Sequence, residues 1–384
     1  MKKIIGLALS LILSTSLSYA NIPAASETDE ASWLDTLLDK LGADGGYDNS
    51  KSIDFSILPG PFYNPEMSLG LGISAIGLYQ VDPQDTLSPI SSLMLNGFAS
   101  VNGSVGLVVD NRTFFKQDQW RFYLNAQLSD APEVYYGTGY QQNHQDKNLV
   151  HFHQQYYALQ PSLLKRVGEH SLVGAGLDMS YANTSEISPA SSSEVDASVL
   201  EASSRSVGLN LRFDYDSRDN THSPYSGQLV QIDTGLFRPF YGSNTHFQTL
   251  NFNYSQYQPL GPRNSVLAWQ FKSRFSDGDV PWNMLSTIGG GSDLRGYTNG
   301  RYRDKHSLLS QVEYRWDLPK RHGMVFWLAA AAIAPELKEF KAEQILPSAG
   351  VGYRLEVKTR VNLRLDLGVG KDETGFYFNV DEAF

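Results

Sequence analysis

The side chains best suited to chemistry are an arginine set among glycines and two histidines of like parity. Gly289-Gly290-Gly291-Ser292-Asp293-Leu294-Arg295-Gly296-Tyr297 is followed closely by Arg301-Tyr302-Arg303-Asp304-Lys305. Glycines permit positive φ and close backbone approach, yet this stretch is too long and too polar for a tight turn. Its arginine could fold the loop back onto a fixed partner; the plainer alternative is a flexible surface loop. The chain holds eight histidines, and His151 and His153 share one strand face, as a general acid and base could. No Gly-x-Ser-x-Gly or His-Glu-x-x-His motif accompanies them, and a solvated strand face tolerates histidine. The expectation is therefore a chain that is not an enzyme, with no catalytic residue, metal site or cofactor.

The elements that must position Arg295 are strands. The loop lies between the alternating runs Val266–Phe275 and Ser307–Trp316, a connection of about thirty residues, well beyond the usual hairpin. In Val207–Asp216 the odd positions are all apolar or aromatic, and the even ones are Gly, Asn, Arg and Asp. Val361–Leu367, Leu250–Tyr254, Leu267–Phe275 and Phe376–Val380 repeat that period. Strict alternation puts one face in an apolar medium and the other in water. Tyr, Trp and Phe stud the apolar side at strand ends, as an aromatic girdle requires. From the fifth strand on, longer connections (131–149, 183–205, 277–306, 334–345) alternate with shorter ones (167–170, 260–264, 317–323, 358–360). An up-and-down transmembrane antiparallel β-barrel of about sixteen strands predicts this alternation, with long extracellular loops, short periplasmic turns and both termini periplasmic. The fold class is all-β.

Composition sets outer bounds. Lys2 and Lys3, the apolar run Ile4–Leu13 and Ser18-Tyr19-Ala20 read as a signal peptide over residues 1–20. The formal net charge of −10, taken to −12 by loss of those two lysines, makes a poor nucleic-acid binder. No cysteine excludes a disulfide scaffold, a thiolate site and lipid attachment at an N-terminal Cys. The longest apolar patch, Met324–Ala334, is too short to span a membrane as a helix and suits a tilted strand. Residues 21–51 form a short periplasmic leader. Within it Ser32-Trp33-Leu34-Asp35 resembles a capping box, and Trp33, Leu34, Leu37, Leu38 and Leu41 make one apolar face. This amphipathic helix is expected to dock on the periplasmic mouth of the barrel; the alternative is a disordered leader. Residues 52–384 form the barrel, and its apolar outer band makes outer-membrane lipid its first partner.

Four stretches resemble one family. Gly290-Gly291-Ser292-Asp293-Leu294-Arg295-Gly296-Tyr297 is similar to the Gly-Gly-x-x-Val-Arg-Gly-Tyr/Phe loop of the bacterial surface antigen superfamily. Asp216-Ser217-Arg218-Asp219-Asn220, then Pro224 and Gly227, resembles its Asp-x-Arg-Asp-Asn…Pro…Gly turn. Gly350-Val351-Gly352-Tyr353-Arg354 resembles its Gly-x-Gly-x-Arg strand, and the end of the chain resembles the end of its barrel. There Phe376, Phe378, Val380 and Phe384 would share the outer face of a strand reaching residue 384, a C-terminal signal for insertion; Glu382 departs from that pattern. The superfamily includes BAM-type insertases and two-partner secretion transporters. The resemblance implies a sixteen-stranded barrel in a Gram-negative outer membrane, with its sixth extracellular loop threaded into the lumen. The loop arginine would there meet acidic residues on lumen-facing strands, for which Glu313 and Asp366 are the candidates, an arrangement that gates the lumen or merely plugs it. Ala329–Ala332 offer no acidic residue where the insertases often carry one, so the arginine is expected to have one partner fewer. Only about thirty residues precede the barrel, too few for POTRA domains, so a stand-alone form is expected. Its function would be membrane-protein assembly or translocation with a separate periplasmic partner protein. A passive or gated porin-like channel and an outer-membrane enzyme are the alternatives.

Overall fold

Burial in the strand His306–Asp317 runs opposite to that of a soluble sheet: Gln311, Glu313 and Arg315 are buried while Val312, Tyr314 and Trp316 are exposed. The computed structural model describes residues 33–43, 46–64, 68–261 and 264–384 and carries this inversion around a closed barrel. The signal peptide and the leader up to Ser32 lie outside the described residues.

In chain order the strands are β1 (Asp54–Asn64), β2 (Ser68–Tyr79), β3 (Ser91–Ser100), β4 (Val105–Phe115), β5 (Trp120–Tyr135) and β6 (Val150–Arg166). They continue with β7 (Ser171–Pro189), β8 (Ser204–Asp216), β9 (Gly227–Phe237), β10 (Phe247–Leu260), β11 (Ser265–Gly278) and β12 (Ser286–Ile288). The last are β13 (Tyr302–Asp304), β14 (His306–Asp317), β15 (His322–Ala334), β16 (Leu346–Lys358), β17 (Val361–Val369) and β18 (Thr374–Val380). Sixteen of them form the antiparallel barrel, each paired with its sequence neighbours; β12 and β13 are a separate two-stranded ribbon inside the β11–β14 connection. β1 closes the barrel on β18, where among the described residues Tyr63 pairs with Phe376.

Four strand boundaries differ from the sequence reading. The first strand runs over Asp54–Asn64, so it opens just inside residue 52, the expected start of the barrel. β5 and β7 extend to Tyr135 and Pro189, past 130 and 182. Beyond the membrane both faces of a strand meet water, so the apolar parity that marks a strand in sequence disappears while the hydrogen-bonded ladder goes on. The last strand ends at Val380, not 384, because Asp381 turns to φ 69.

Two of the packed regions bear on the lumen loop and on the start of the barrel. Toward the long-loop end, Ile288, Leu294, Tyr297 and Tyr302 of the β11–β14 connection pack on Leu309, Val325, Trp327, Ala329, Ala331, Ile333 and Leu346. The small side chains of Ala329 and Ala331 are what leave room for the loop against the inner wall. At the short-turn end sits helix α1 (Trp33–Lys40). Leu38 and Ala43 are buried against Leu58, Ile76, Leu78, Met94, Leu355, Val357 and Val361. Backbone bonds hold the exit of the helix: Ile57 N donates to Leu41 O at 2.9 Å and Ser56 Oγ to Gly42 O at 2.7 Å. Gly42 sits at φ +75, where a Cβ would lie 2.3 Å from the Phe55 carbonyl oxygen. Eight residues are marginal as an isolated helix, so these contacts are what order α1.

Candidate functional site

The β11–β14 connection enters the lumen and places Arg295 between two strands of the wall. Its Nη1 donates to Asp366 Oδ2 on β17 at 2.8 Å, and its Nη2 donates to Glu313 on β14. All three side chains are fully buried. Parity explains the two carboxylates: Glu313 alternates with Val312 and Tyr314, and Asp366 with Leu365 and Leu367, so both point inward. The guanidinium also lies 3.7 Å from the centroid of the Trp327 ring on β15. Sequence reasoning missed Trp327. The strand that lacks a carboxylate supplies an indole face instead, and a cation desolvated on such a face is held about 2 kcal/mol or more strongly.

The neighbouring glycines set how close the loop comes. Gly296 has φ +100, and a Cβ there would stand 2.7 Å from Gly370 N and from Val369 C. A Cβ on Gly368 would meet the Arg295 carbonyl carbon at 2.8 Å. The loop backbone therefore lies directly on the end of β17. Gly296 N donates to the Tyr377 hydroxyl at 2.9 Å, and Ser348 Oγ donates to the Arg295 carbonyl. Tyr297 donates its hydroxyl to Pro347 O at 2.8 Å and accepts from Lys371 N at 2.9 Å. Burial raises the Tyr297 phenol above its ordinary value, which keeps that donor protonated. Leu294 is fully buried, Gly290 has φ +90, and the Gly291 carbonyl accepts from Arg364 Nη2 at 2.9 Å.

The anchor belongs to a larger ion network. Glu313 Oε2 accepts from Arg315 Nε at 2.9 Å, and Asp366 Oδ1 from Arg354 Nη1 at 2.6 Å. Arg354 Nε in turn donates to Glu382 Oε2 at 2.8 Å. Buried charges of this kind persist only when each has partners of good geometry, and removing one partner leaves the other uncompensated. Nearer the long-loop end Arg301 meets Glu373 at 3.2 Å and Asp146 at 2.6 Å, while Arg303 N donates to Asn143 Oδ1 at 2.9 Å. The β5–β6 connection is thus clamped onto the lumen loop.

The turn motif at the opposite end is held by its own residues and by Arg121 of β5. Asp216 accepts from Arg121 Nη1 at 2.7 Å and from Arg218 Nε at 2.9 Å. Asp219 Oδ1 caps the amides of Tyr225 and Ser226 at 2.9 and 3.1 Å, and Asn220 Oδ1 those of His222 and Ser223 at 2.8 and 3.0 Å. At Gly227, φ +94, a Cβ would collide with Ser217 O at 2.2 Å. Each motif residue here has a local job in holding the β8–β9 turn.

The C-terminal aromatic residues are not on one face. Phe376 is exposed on the barrel exterior. The Phe378 ring lies over Gly60 of β1, where a Cβ would be 2.3 Å from Cζ. Phe384 turns into the lumen, with its ring centroid 6.3 Å from that of Tyr257 and 5.0 Å from the Arg315 guanidinium carbon. The expected outer-face placement of Phe384 is therefore corrected by the break at Asp381. His151 is exposed, and His153 contacts Asp130. Among the described residues no group of three or more His, Cys, Asp or Glu could hold a metal ion.

Comparison with known proteins agrees with this architecture. Residues 100–384 match the model of the Omp85 superfamily domain. BamA from Haemophilus ducreyi lacking POTRA domains 1–3 superposes with a TM-score of 0.53 at 15% identity, over 85% of this chain and 69% of that one. CdiB from Acinetobacter baumannii gives 0.53 at 13% identity, covering 85% and 59%, and CdiB from Escherichia coli gives 0.59 at 9%, covering 88% and 63%. The chain thus spans about two thirds of the length of these structures, and at such identities the likeness is one of fold. No curated protein matches the sequence.

Proposed function

Since the chain belongs to the Omp85 superfamily, whose barrels lie in Gram-negative outer membranes, we propose that it inserts or translocates protein there, its lumen closed by the Arg295 loop. The observation that carries this reading is the buried anchor. A pore for free diffusion gains nothing from a loop whose arginine is fully desolvated between Glu313 and Asp366. Such an anchor suits a plug that is held in one state and released in another. The seam supports the same reading. β18 has 7 residues, short of the 9–11 that a tilted strand needs to cross a bilayer, and among the described residues it meets β1 at one register pair. The wall is lowest and least paired where a substrate strand could enter. A separate periplasmic partner would deliver that substrate.

Two experiments test this. Planar-bilayer recordings should show low conductance in the wild type and larger openings in Arg295→Met. Large steady conductance in the wild type would instead make the protein a passive channel. A disulfide between Tyr63→Cys and Phe376→Cys, the register pair of the seam, should abolish insertion of an unfolded barrel substrate into liposomes. Reduction should restore it. Undiminished insertion by the oxidised protein would sink the seam as the route.

A further inference from the structure

The tail after β18 completes a closed ring of alternating charge around the loop anchor. Starting at Arg295, the ring passes to Glu313, to Arg315 at 2.9 Å, to Glu382 at 4.0 Å, to Arg354 at 2.8 Å, to Asp366 at 2.6 Å and back to Arg295 at 2.8 Å. Every member is nine-tenths or more buried, and Arg364 flanks the ring 3.6 Å from Asp366. Four of these members sit on β14, β16 and β17, and one on the loop. Glu382 alone comes from the tail.

Glu382 reaches the ring only because the chain leaves strand geometry. Were β18 to continue, Glu382 would keep the parity of Phe376 and Phe378 and face lipid. The positive φ of Asp381 turns it inward, with Asp381 N bonded to Asn362 O at 2.9 Å. That turn is held from across the lumen. Asp381 Oδ2 is 2.7 Å from His222 Nδ1, both side chains being buried, and His222 sits on the β8–β9 turn. Asn362 Nδ2 donates to Glu382 Oε1 at 2.8 Å, and Arg315 Nη2 to the Phe384 main-chain oxygen at 2.7 Å.

We propose that residues 381–384 are a latch that couples the seam strand to the loop anchor. Glu382 is a positioning residue: it holds Arg315 and Arg354 against Glu313 and Asp366, and these hold Arg295. Any movement of β18 away from β1 draws Glu382 out of the ring. Four arginines then share two carboxylates, and the loop loosens. By linkage, release of the loop weakens the tail in turn. This rests on the reading of the loop as a releasable plug.

The test uses the full chain in detergent or liposomes. The chain has no cysteine, so Thr298→Cys, at a position only 8% exposed within the loop, gives a single thiol whose labelling reports loop opening. In that background Glu382→Gln should label on the order of tenfold faster, since Glu382 touches Arg295 only through Arg315 and Arg354 and only part of the loss of a buried charge partner falls on the loop. His222→Ala should also label faster, and the double variant should match Glu382→Gln alone, because the histidine acts through the glutamate. Additive rates would refute the latch. If Arg295→Met opens the loop and Glu382→Gln does not, the coupling is wrong and the plug stands. If neither opens it, the plug reading itself fails. Should Glu382→Gln fail to give the heat-modifiable band of a folded barrel, His222→Ala decides alone, and wild-type labelling in it overturns the proposal.

Discussion

Gly296→Ala separates backbone fit from charge in holding the loop. The position has φ +100, which costs an L-residue about 1–2 kcal/mol. The added Cβ would also stand 2.7 Å from backbone atoms of Val369 and Gly370, which have no side-chain freedom to yield. Overpacking of that kind costs about 1–3 kcal/mol, so the docked loop should lose about 2–5 kcal/mol in all. Gly290→Ala is the internal control. Its φ is +90, yet the nearest atoms to its Cβ belong to the Asn299 side chain at 3.6 Å, so only the backbone cost of about 1–2 kcal/mol applies. Thiol labelling of Thr298→Cys reads both, since the rate follows the opening equilibrium when reclosing outpaces reaction. Labelling should rise roughly five- to thirtyfold in Gly290→Ala and from roughly thirtyfold to several thousandfold in Gly296→Ala. Equal rates in the two variants would mean that contact with β17 does not set the docked state, and the geometry argued for the anchor would be wrong.

Three further perturbations address other parts of the molecule. Trp327→Leu removes the indole beneath Arg295 and should raise loop labelling by roughly thirtyfold if the desolvated contact contributes its usual 2 kcal/mol; unchanged labelling would leave the stacking without energetic weight. Lys358 and Asp54 form an ion pair at 2.7 Å with no exposure, joining β16 to β1. Lys358→Met should lower the temperature at which the heat-modifiable band is lost, by an amount corresponding to about 3–5 kcal/mol, and Lys358→Met with Asp54→Leu should recover much of it. Asp85 in the β2–β3 connection accepts from Ser88 Oγ at 2.7 Å, Ser88 N at 2.9 Å and Gln117 N at 2.7 Å. These bonds, that of the Ser88 hydroxyl first, lower its pKa from 3.8 to about 2. Because the folded value is the depressed one, the contribution is complete above pH 3.8 and disappears as pH falls through about 2. Protection of the Gln117 amide, taken relative to Asp85→Asn, should fall in that window; a flat profile would refute the assignment.

Much of the barrel was legible because a membrane strand carries its environment in its parity. Val312, Glu313, Tyr314 and Arg315 alternate as strictly in sequence as they do in burial. The same parity made Glu313 and Asp366 the inward carboxylates to name beside Arg295. It said nothing of Trp327, since an inward tryptophan among inward alanines has no polar signature, and its orientation depends on the loop that covers it. The β12–β13 ribbon was equally silent: three residues per strand are too few to show a period.

Glu382 shows where the parity rule stops and what could have marked the stop. Period two fixes the face of every residue only while the chain stays in a strand, and one residue of positive φ resets it. Asp381 is among the residue types that reach that conformation at modest cost, so its identity permits the break without announcing it. The stronger signal is Glu382 itself. A carboxylate on the parity of Phe376 and Phe378 would face hydrocarbon, where charge is costly, while the inward positions of β14, β16 and β17 already held Arg315, Arg354 and Arg364 against only Glu313 and Asp366. A surplus of inward cations and one misplaced acid at the end of the last strand balance each other only if the strand ends before the acid. That electrostatic count, made across the neighbouring strands rather than along one, points to the inward turn that the structure shows at Asp381.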